Sequence, residues 1–568
     1  MHDPARILMP FVPLMKVIFF RNPCLCGLRR WPSRVVGEAK TMGSQTILKD
    51  EHILIVGAGI GGLVCALLLA HRGVRVTLVE SAAAPGGKIR QVMVGGSPID
   101  SGPTVFTMRW VFEQIFNQVG GSLDSLLHLQ PLQILARHAW RHTEARLDLF
   151  ADIKQSADAI GQFSSAAEAR SFLRFCTKAK EVYRHLEGPY MRSSRPSIMG
   201  MVGDLKVSGL ASLASLGPMA SFWQVLGHYF NDPRLRQLFG RYATYCGASP
   251  WLAPATLMLI AHVEQDGVWS VDGGMHALAK VLAEQAERRG ATVRYLTTCK
   301  RILVSDGKVS GIELEGGEVL DADAVVFNGD TAALAQGLLG TSVQRAAPLI
   351  APEDRSLSAV TWSIKTRTQG FPLVRHNVFF DDDYALEFTD VFKRRQLPGK
   401  GTVYVCAQDR ADSGADPGTA ERLLCLLNAP ADGDLREFKP MEIDPCEVKT
   451  MAFLDQCGLS LDLDTAQCVR TTPSDFNRLF PGTGGALYGR ASHGWLMPFQ
   501  RSASASKIPG LYLAGGSVHP GPGVPMAAIS GQLAAETVMA HLGSTSKSGR
   551  VRISGGTSMP SVMTARTP

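Results

Sequence analysis

The sequence lacks a long hydrophobic run. Nowhere in its 568 residues is there a stretch of about 18–20 uninterrupted apolar residues, the length that a helix needs to span a bilayer. The longest candidate, residues 7–20, is shorter and contains Lys16. Arg6 precedes it, as in a secretory signal, but no clear small-residue cleavage site follows. We therefore expect neither a transmembrane helix nor export.

Charged residues are also scarce, at 19% of the chain, and the 58 basic residues outnumber the 51 acidic ones only slightly. No Lys/Arg run is interleaved with aromatic residues, so we expect no nucleic-acid partner. The resulting charge of +7 is compatible with attraction to an anionic membrane surface. A featureless basic surface explains it equally well.

The 11 cysteines are scattered along the chain. Cys24 and Cys26 lie too close together for an ordinary disulfide or for a metal knuckle with two intervening residues, and no histidine cluster accompanies them. We therefore expect free, mostly buried thiols in a reducing compartment, and no metal site.

Glycine-rich segments of α/β texture occur three times, at residues 51–105, 270–335 and 480–542. They are separated by a mostly helical region, 106–269, and by a mixed region, 336–479. A chain of this length exceeds one simple core. We therefore predict one discontinuous nucleotide-binding domain, which carries on its loops a second, mixed α+β domain that faces substrate and membrane.

The two ends of the chain fall outside this pattern. Residues 1–50 are predicted to be an N-terminal extension, and Met42 is an alternative start because the short stretch after it leads directly into the first strand. Residues 543–568 are rich in Ser, Thr, Gly and Arg, so we predict a disordered tail.

Hydrophobic patterning predicts the elements that frame the glycine-rich segments. An apolar run of strand length begins at His52, as expected for a buried parallel strand, and Gly95-Gly96 marks the turn of a hairpin. The predicted strands and helices are 52–57, 60–71, 74–80, 89–99 (the hairpin), 274–289, 293–295, 299–304, 309–314, 324–327, 511–514 and a last helix that ends near 542.

The first motif that carries chemistry is the glycine pattern between the first strand and the first helix. Gly57 permits the tight turn, Gly59 lets the backbone approach a pyrophosphate, and Gly62 lets the helix pack against the strand. Glu80 ends the second strand, where its carboxylate can accept hydrogen bonds from both hydroxyls of an adenosine ribose. This carboxylate would repel a 2′-phosphate, so the motif indicates a dinucleotide other than NADP.

A glycine doublet follows at Gly86 and Gly87, and the next residue is Lys88. The two glycines extend the phosphate cradle, and Lys88 is the expected countercharge. Such a doublet resembles the one that distinguishes FAD proteins of the amine-oxidase and carotenoid-desaturase superfamily from plain NAD domains.

A turn comes next, at Gly102, Pro103 and Thr104. Alone it would be an ordinary Gly-Pro turn. In this order along the chain it resembles the flavin-facing turn of the same superfamily.

The last motif lies near the C-terminus, where Gly515 and Gly516 follow a strand and Val524, Pro525 and Met526 begin a helix. Proline in the first turn of a helix is favourable because it has no N–H group to leave unpaired. The positive end of this helix can face the edge of the flavin on which negative charge accumulates, which favours hydride acceptance.

Together these motifs resemble the phytoene-desaturase branch of the FAD superfamily, over residues 51–542. The resemblance implies an α/β fold of the glutathione-reductase/amine-oxidase type, FAD as cofactor, and a backbone contact of Cys299 with the adenine; Cys299 is also compatible with a buried core thiol. Longer strings resemble the bacterial 1-hydroxycarotenoid 3,4-desaturases, also called methoxyneurosporene dehydrogenases, at residues 102–110, 266–270, 485–494 and 514–520.

This resemblance implies removal of two hydrogens from the C3–C4 bond of an acyclic 1-hydroxy or 1-methoxy carotenoid, with FAD as hydride acceptor and oxygen or a quinone as terminal acceptor. The polyene spreads the developing charge, so a strong side-chain base is not required. His519 is either a proton relay or a structural residue of a tight turn. Glu264 and Asp266 remain equally open candidates.

A carotenoid is insoluble and must come from the bilayer. The resemblance therefore implies a peripheral protein on the cytoplasmic side of a bacterial inner membrane. The weakly charged segment 197–230, with Phe222 and Trp223, is one candidate for the membrane face or tunnel lining, and residues 251–260 are another. Helical core is the competing interpretation of both segments, because apolar helices normally bury themselves.

Other functions share the same motifs. Within the family these are a different carotene desaturation, a ketolation and an isomerisation. An amine oxidase would need an aromatic cage in front of the flavin, and an escort protein that only binds lipid would have lost its flavin motifs. The intact glycine set with Glu80 and Lys88 argues against the escort protein, and Ser517, Val518 and His519 stand where the C-terminal block of an amine oxidase would place its aromatic residues.

Overall fold

The computed structural model describes residues 51–194, 203, 207–217, 219–410 and 417–548. The predicted extension and the alternative start at Met42 lie outside these residues, as do residues 549–568 of the predicted tail. Among the helices of the described segments, none has both the length and the apolar character that crossing a bilayer demands.

A five-stranded parallel sheet is built from three distant stretches of chain. All four of its strand pairings are parallel. Neighbouring parallel strands must be joined by crossover connections, which run over the faces of the sheet. In order across the sheet, the strands are Leu511–Leu513, Ala324–Phe327, His52–Val56, Arg75–Val79 and Thr292–Arg294.

Both faces of this parallel sheet are buried, because successive side chains of each strand point to opposite sides. Ile53 and Ile55 pack on the face covered by helices, and Leu54 and Val56 pack on the other face. The helices on the first face are Ile60–His71, His276–Glu287 and Val524–Ser548. The second face packs against a three-stranded antiparallel sheet of Cys299–Ser305, Lys308–Leu314 and Val319–Asp321.

This arrangement confirms the predicted fold class, a discontinuous Rossmann-type domain in an α/β protein. The strands of one sheet come from each of the three glycine-rich segments, and the intervening chain forms other elements. The exact boundaries of the two domains remain a prediction.

A seven-stranded, mainly antiparallel sheet is built from the two intervening regions. One pairing is parallel, between Ile134–Trp140 and His376–Phe380. In order, its strands are Gln467–Thr471, Ser358–Thr366, Glu421–Ala429, Val403–Ala407, His376–Phe380, Ile134–Trp140 and Arg146–Phe150.

The two faces of the seven-stranded sheet pack on different partners. Phe379 packs with helix Pro440–Gln456, whereas Val378 and Phe380 pack with an aromatic helical layer. Local signals fix the ends of these helices: the side chain of Ser165 accepts the N–H of Glu168 at the start of helix Ala166–Leu186.

The remaining elements complete the described chain. The other α-helices are Arg109–Gln118, Leu123–Leu126, Ile153–Phe163, Ala166–Leu186, Val207–Ala214, Phe222–Tyr229, Pro233–Gly240, Leu259–Gln265, Thr331–Ala335, Tyr384–Phe388 and Pro473–Leu479. Three two-stranded pairs are Gln91–Val94 with Ser97–Asp100, Leu129–Pro131 with Trp269–Val271, and Thr368–Gly370 with Leu459–Leu461.

Two local predictions, the hairpin turn and the start of the disordered tail, have different outcomes. The hairpin turns at Gly95 and Gly96, both with positive φ, as predicted. The predicted disordered tail from Gly543 is wrong for its first residues, because the last helix continues to Ser548. A single glycine inside a helix costs only about 1 kcal/mol, which does not by itself end the helix.

Candidate active site

A single cavity of about 1040 Å³ collects most of the predicted site residues. Its wall contains the glycine loops, the acidic strand end, the flavin-facing turn and the first turn of the last helix. The predicted residues in the wall are Gly57, Gly59, Glu80, Gly86, Gly87, Lys88, Gly102, Pro103, Thr104, Cys299, Gly515, Gly516, Val524, Pro525 and Met526. The loop after the first strand therefore lies beside the C-terminal segment, as the sequence predicts.

The first glycine loop is shaped by close backbone approaches. Gly57 has φ of 100° and donates its N–H to the carbonyl of Val79 at 2.8 Å. Gly62 is outside the cavity wall, and a Cβ on it would collide with the carbonyl oxygen of Gly57. Its predicted role in close packing of helix against strand therefore agrees with its surroundings.

Glu80 is held at the end of its strand by backbone donors. Its Oε2 accepts the N–H of Ala58 at 2.7 Å, and its Oε1 accepts the N–H of Ala82 at 2.8 Å. Oε1 also accepts the hydroxyl of Ser81 at 3.3 Å, so the second lone pair of Oε2 is the one left for a ribose hydroxyl. The carboxylate is thus oriented as ribose binding requires.

Lys88 has partners that the sequence did not predict. Its Nζ donates to the carbonyl of Leu487 at 2.7 Å, lies 3.9 Å from Oδ2 of Asp330, and stands 5.3 Å from the centre of the Phe480 ring. Burial lowers the pKa of Lys88, and the nearby Asp330 opposes that shift. Its role as phosphate countercharge stays a prediction, since these contacts tie the ammonium group to Leu487 and Asp330.

Asn328 is a site residue that sequence reasoning missed. Its Nδ2 donates to the carbonyl of Gly57 at 3.1 Å, and a Cβ on Gly59 or Gly61 would come within 2.7 Å of its amide. Its Oδ1 lies close to Gly515 as well. Asn328 therefore fills the gap between the two glycine loops. Its position directly after a buried parallel strand was the available signal.

The C-terminal loop is fixed by one buried hydroxyl. The N–H of Gly515 donates to Oγ of Ser530 at 3.2 Å, and Gly515 has φ of 111°. The first residues of helix Val524–Ser548 line the cavity, so the positive end of this helix faces it.

These features fit an adenine–flavin dinucleotide. Two helix N-termini, at Ile60 and Val524, meet at one cavity. Several glycines of the neighbouring loops leave no room for a Cβ atom. Backbone N–H groups at a helix start bind phosphate oxygens. Glu80 at the far end supplies the acceptor that a ribose needs.

Cys299 lies in the cavity wall, and its backbone contact with the adenine stays a prediction. Its Sγ is 3.6 Å from the carbonyl of Arg301, and burial raises the pKa of the thiol to about 12. A neutral thiol of this kind is unreactive. The position therefore suits a backbone contact rather than sulfur chemistry.

His519 lies behind the cavity rather than in its wall, among the described residues. Its ring meets the ring of Tyr190 edge-on at 4.9 Å, and its N–H donates to the carbonyl of Ser502 at 2.9 Å. Burial lowers the pKa of His519 to about 4, although the backbone of Tyr190 and Ser193 opposes this shift. The ring is therefore neutral near pH 7, which favours its structural role over a proton relay.

Phe222 belongs to the buried aromatic core, contrary to the prediction for it, whereas Trp223 is half-buried, and neither is among the residues that line the cavity. Phe222 is fully buried, and the Trp223 ring packs on that of Trp251 at 4.4 Å. Ser221 and Gln224 form a capping box that starts their helix. Burial, the competing interpretation, therefore holds around Phe222, whereas Met219 of the same segment is 84% exposed.

A polar group of four residues interrupts the apolar wall, and the sequence had indicated only one of them. We call Arg241, Tyr242, Tyr245 and Glu264 the Arg241 cluster. Nη2 of Arg241 donates to the Tyr245 hydroxyl at 2.8 Å, which donates to Glu264 at 3.2 Å, and the Tyr242 hydroxyl also donates to Glu264. Burial raises the pKa of Glu264, and Arg241 opposes that shift.

A second polar link joins the flavin-facing turn to the seven-stranded sheet. The hydroxyl of Tyr404 lies 2.6 Å from that of Thr104 and 2.7 Å from Nδ1 of His376. Burial lowers the pKa of His376 to about 3. Thr104 is therefore held in place from the side opposite the glycine loops.

Comparison with known proteins agrees with this geometry. The model of a family described as flavin containing amine oxidoreductase matches residues 60–539. A hydroxyneurosporene desaturase from Rubrivivax gelatinosus is 62% identical over 517 residues, which is 91% of this chain and 98% of that protein. Another from Cereibacter sphaeroides is 43% identical over 496 residues, which is 87% of this chain and 99% of that protein.

A solved structure shares the fold at low sequence identity. An oxidoreductase from Methanosarcina mazei superposes with a TM-score of 0.52 at 15% identity, covering 86% of this chain and 100% of that one. At this identity the likeness concerns the fold alone.

Proposed function

The chain belongs to the flavin containing amine oxidoreductase family and is an FAD-dependent oxidoreductase, and we propose that it removes two hydrogens from the C3–C4 bond of an acyclic 1-hydroxy or 1-methoxy carotenoid. Family membership confirms the predicted cofactor and enzyme class. The substrate class comes from the hydroxyneurosporene desaturases, to which the chain is similar over nearly their whole length.

The observation that carries this proposal is the composition of the single cavity. One part of its wall is the dinucleotide cradle around Gly59 and Glu80, and another part is apolar. The apolar part suits a hydrocarbon chain, since burial of apolar surface drives binding. Its side chains include Leu186, Met191, Leu213, Leu216, Leu257 and Ile260.

In this proposal bound FAD supplies the hydride acceptor. The protein excludes water from the apolar wall and holds the flavin-facing turn through Thr104 and Tyr404. One carbon of the C3–C4 bond would give up the hydride and the other a proton, and the polyene would spread the developing charge. Glu264 in the cavity wall is protonated more readily than an ordinary glutamate, since burial raises its pKa. Oxygen or a quinone would then reoxidise the reduced flavin.

We also propose that the protein attaches peripherally to the cytoplasmic face of a membrane, from which a carotenoid can enter. Three large apolar side chains are exposed near one stretch of the cavity wall: Met219 at 84%, Leu252 at 50% and Trp495 at 47%. The N–H of Gly494 bonds to the carbonyl of Leu252 at 2.8 Å, and Trp495 itself lines the cavity. These side chains replace Phe222 and Trp223 as the candidate membrane face.

The membrane proposal is tested with vesicles of anionic phospholipid. We expect Met219→Glu combined with Leu252→Glu to lower co-sedimentation several-fold, because each charge adds to the cost of entering the interface. Met441→Glu is the matched control, since Met441 is as exposed but lies on helix Pro440–Gln456. Equal binding of both variants would remove this assignment.

The reaction is tested in a host that accumulates a 1-hydroxylated acyclic carotenoid. We expect a product with one more conjugated double bond, detected by chromatography and a red-shifted absorption spectrum. A host with the same carotenoid lacking the hydroxyl is the control. No shift with either pigment, although the protein is present and yellow with flavin, would sink the proposal. Conversion of only the unhydroxylated pigment would instead indicate another desaturase, and an oxygenated product would indicate a ketolase.

A further inference from the structure

The Arg241 cluster is an unusual feature for a cavity that takes a hydrocarbon. Arg241, Tyr245 and Glu264 all line the cavity, between apolar residues such as Ile260 and Val263. The cluster comes from two elements, the 3-10 helix Arg241–Cys246 and helix Leu259–Gln265. A buried polar group in an apolar wall is costly unless something satisfies it.

Arg241 is the member of this cluster with donors to spare. Its side chain is buried, with 7% exposed, and Nη2 donates to Tyr245. Its buried Nε has no hydrogen-bond partner among the described residues. Burial opposes its charge, but Tyr245, Glu264 and Tyr242 outweigh burial and raise the pKa of Arg241. The guanidinium therefore stays charged at the cavity wall.

The other members of the cluster already use their polar atoms in hydrogen bonds with one another. Both carboxylate oxygens of Glu264 accept hydroxyls, from Tyr242 and Tyr245. The Tyr245 hydroxyl accepts from Arg241 and donates to Glu264. A ligand oxygen that approaches the cluster thus meets a donor, and Arg241 has only donors to offer.

We propose that Arg241 binds the oxygen on C1 of the carotenoid end group and thereby selects 1-oxygenated chains. This inference rests on the proposed function and assigns the recognition site within it. An ether oxygen only accepts hydrogen bonds, and a tertiary hydroxyl can accept as well as donate. A donor-only side chain therefore suits both the hydroxy and the methoxy substrate, whereas a carboxylate would reject the ether.

The position of the cluster agrees with the bond that reacts. The oxygen sits on C1 and the reacting bond begins at C3, so the oxygen site must lie close to the flavin ring. Thr104 belongs to the flavin-facing turn, and its hydroxyl contacts Tyr404 at 2.6 Å. Arg241 lines the same cavity as Thr104 and Tyr404. The cluster therefore shares one cavity with the turn on which the reaction depends.

The test compares purified holoenzymes of wild type, Arg241→Met and Arg241→Lys with two substrates, a 1-hydroxycarotenoid and the same chain without the oxygen. We expect Arg241→Met to lower kcat/KM for the hydroxylated substrate roughly 10- to 100-fold, the range of a lost hydrogen bond to a charged group. Its kcat/KM for the substrate without the oxygen should fall much less, because that chain offers Arg241 no hydrogen-bond acceptor. Arg241→Lys should restore part of the preference, because it keeps a charged donor.

The control variant is Arg236→Met. Arg236 stacks over Trp223 at 4.8 Å and is not in the cavity wall among the described residues, so the preference should survive its loss. Flavin absorbance is measured for every variant to establish that the holoenzyme has formed.

The outcomes separate this inference from the proposed function. If wild type converts neither carotenoid, the proposed function fails. If wild type converts the hydroxylated chain but shows no preference for it in binding or turnover, the inference fails alone, whether or not any variant folds. It fails equally if Arg241→Met slows both substrates to the same degree, since that result describes a structural role.

Discussion

The parallel sheet and the seven-stranded sheet of this chain are stabilised in different ways. The central strand of the parallel sheet is apolar on both faces, and its neighbouring loops depend on glycine. The seven-stranded sheet instead contains a buried ion pair between Arg410 and Glu421 and carries the histidines His138 and His376. Backbone space restricts the loops of the first sheet, whereas the second sheet combines apolar faces with buried polar side chains that must find each other.

This difference matters for evolution of function on one scaffold. A backbone requirement permits few residues, so the dinucleotide cradle has little freedom to change. A pairing of side chains can be exchanged for another pairing of similar size. The substrate part of the cavity, which adjoins the second sheet through Tyr404, is therefore where specificity can vary.

The largest effect that separates the two regions should come from Gly62→Val. The side chain would collide with the carbonyl of Gly57 and with Asn328, neither of which can move without disturbing the cofactor loop. Overpacking at a rigid backbone contact costs more than about 3 kcal/mol when nothing can yield. We expect little soluble protein and almost no bound flavin, measured by the ratio of absorbance at the flavin band to that of protein.

Gly316→Ala is the control for this prediction. A Cβ at Gly316 would meet nothing within 4 Å, so flavin content and yield should match wild type. Full flavin loading of the Gly62 variant would contradict the idea that backbone space specifies the cradle.

A slightly smaller effect is expected in the second region from Arg410→Ala. Arg410 donates to Glu421 at 2.7 and 2.9 Å, and both side chains are almost fully buried. Removing one partner leaves a buried charge uncompensated, which costs about 3–5 kcal/mol. Chemical denaturation should show this loss of unfolding free energy, while flavin affinity of the folded protein stays unchanged.

Arg478→Ala serves as the matched control for that loss. Arg478 pairs with Asp475 and Glu437, but its side chain is 61% exposed. Exposed pairs contribute about 0–1 kcal/mol. Equal destabilisation by both variants would show that burial does not set the difference.

A third variant, Glu80→Gln, affects the cradle without disturbing its glycines. The amide would place a donor where the carboxylate now accepts the N–H groups of Ala58 and Ala82. We expect the FAD dissociation constant to rise roughly 10- to 100-fold, the range of one to two charge-assisted hydrogen bonds. Fluorescence titration of the deflavinated protein measures it. Glu318→Gln, at an exposed pair with Arg294, should leave flavin affinity unchanged.

The same contrast explains how far the sequence could predict the structure. The glycine loop, Glu80 and the hairpin at Gly95 were predictable because each depends on local spacing and on backbone conformations that few residues adopt. Their partners were not predictable. Lys88 meets Leu487 across 399 residues, and Asn328 meets Gly57 across 271, so no local pattern contains either contact.

The segment around Phe222 illustrates a different limit. Low charge and helical spacing indicate an apolar surface, but they do not say what covers it. Around Phe222 the cover is an aromatic core that includes Phe230 and Phe239. The Arg241 cluster was missed for the related reason that an arginine in a short 3-10 helix carries no signal of the cavity it faces.

The effect that is smallest within any one pH unit is a pH dependence that the seven-stranded sheet confers. Burial lowers the pKa of His138 and His376 to about 3, from an ordinary value of 6.5. The unfolded chain therefore takes up protons below about pH 6.5 that the folded chain does not bind. The unfolding free energy thus falls as pH falls toward 3, by at most about 1.4 kcal/mol per pH unit for each group.

His138→Gln can still donate to the carbonyl of Leu147, which lies 3.0 Å from the ring Nδ1, but does not titrate. Its stability curve between pH 6.5 and 4 should be shallower than that of wild type by about one proton. Parallel curves for wild type and His138→Gln would mean that acid sensitivity comes from groups outside this sheet, and the contrast between the two regions would then hold for packing but not for titration.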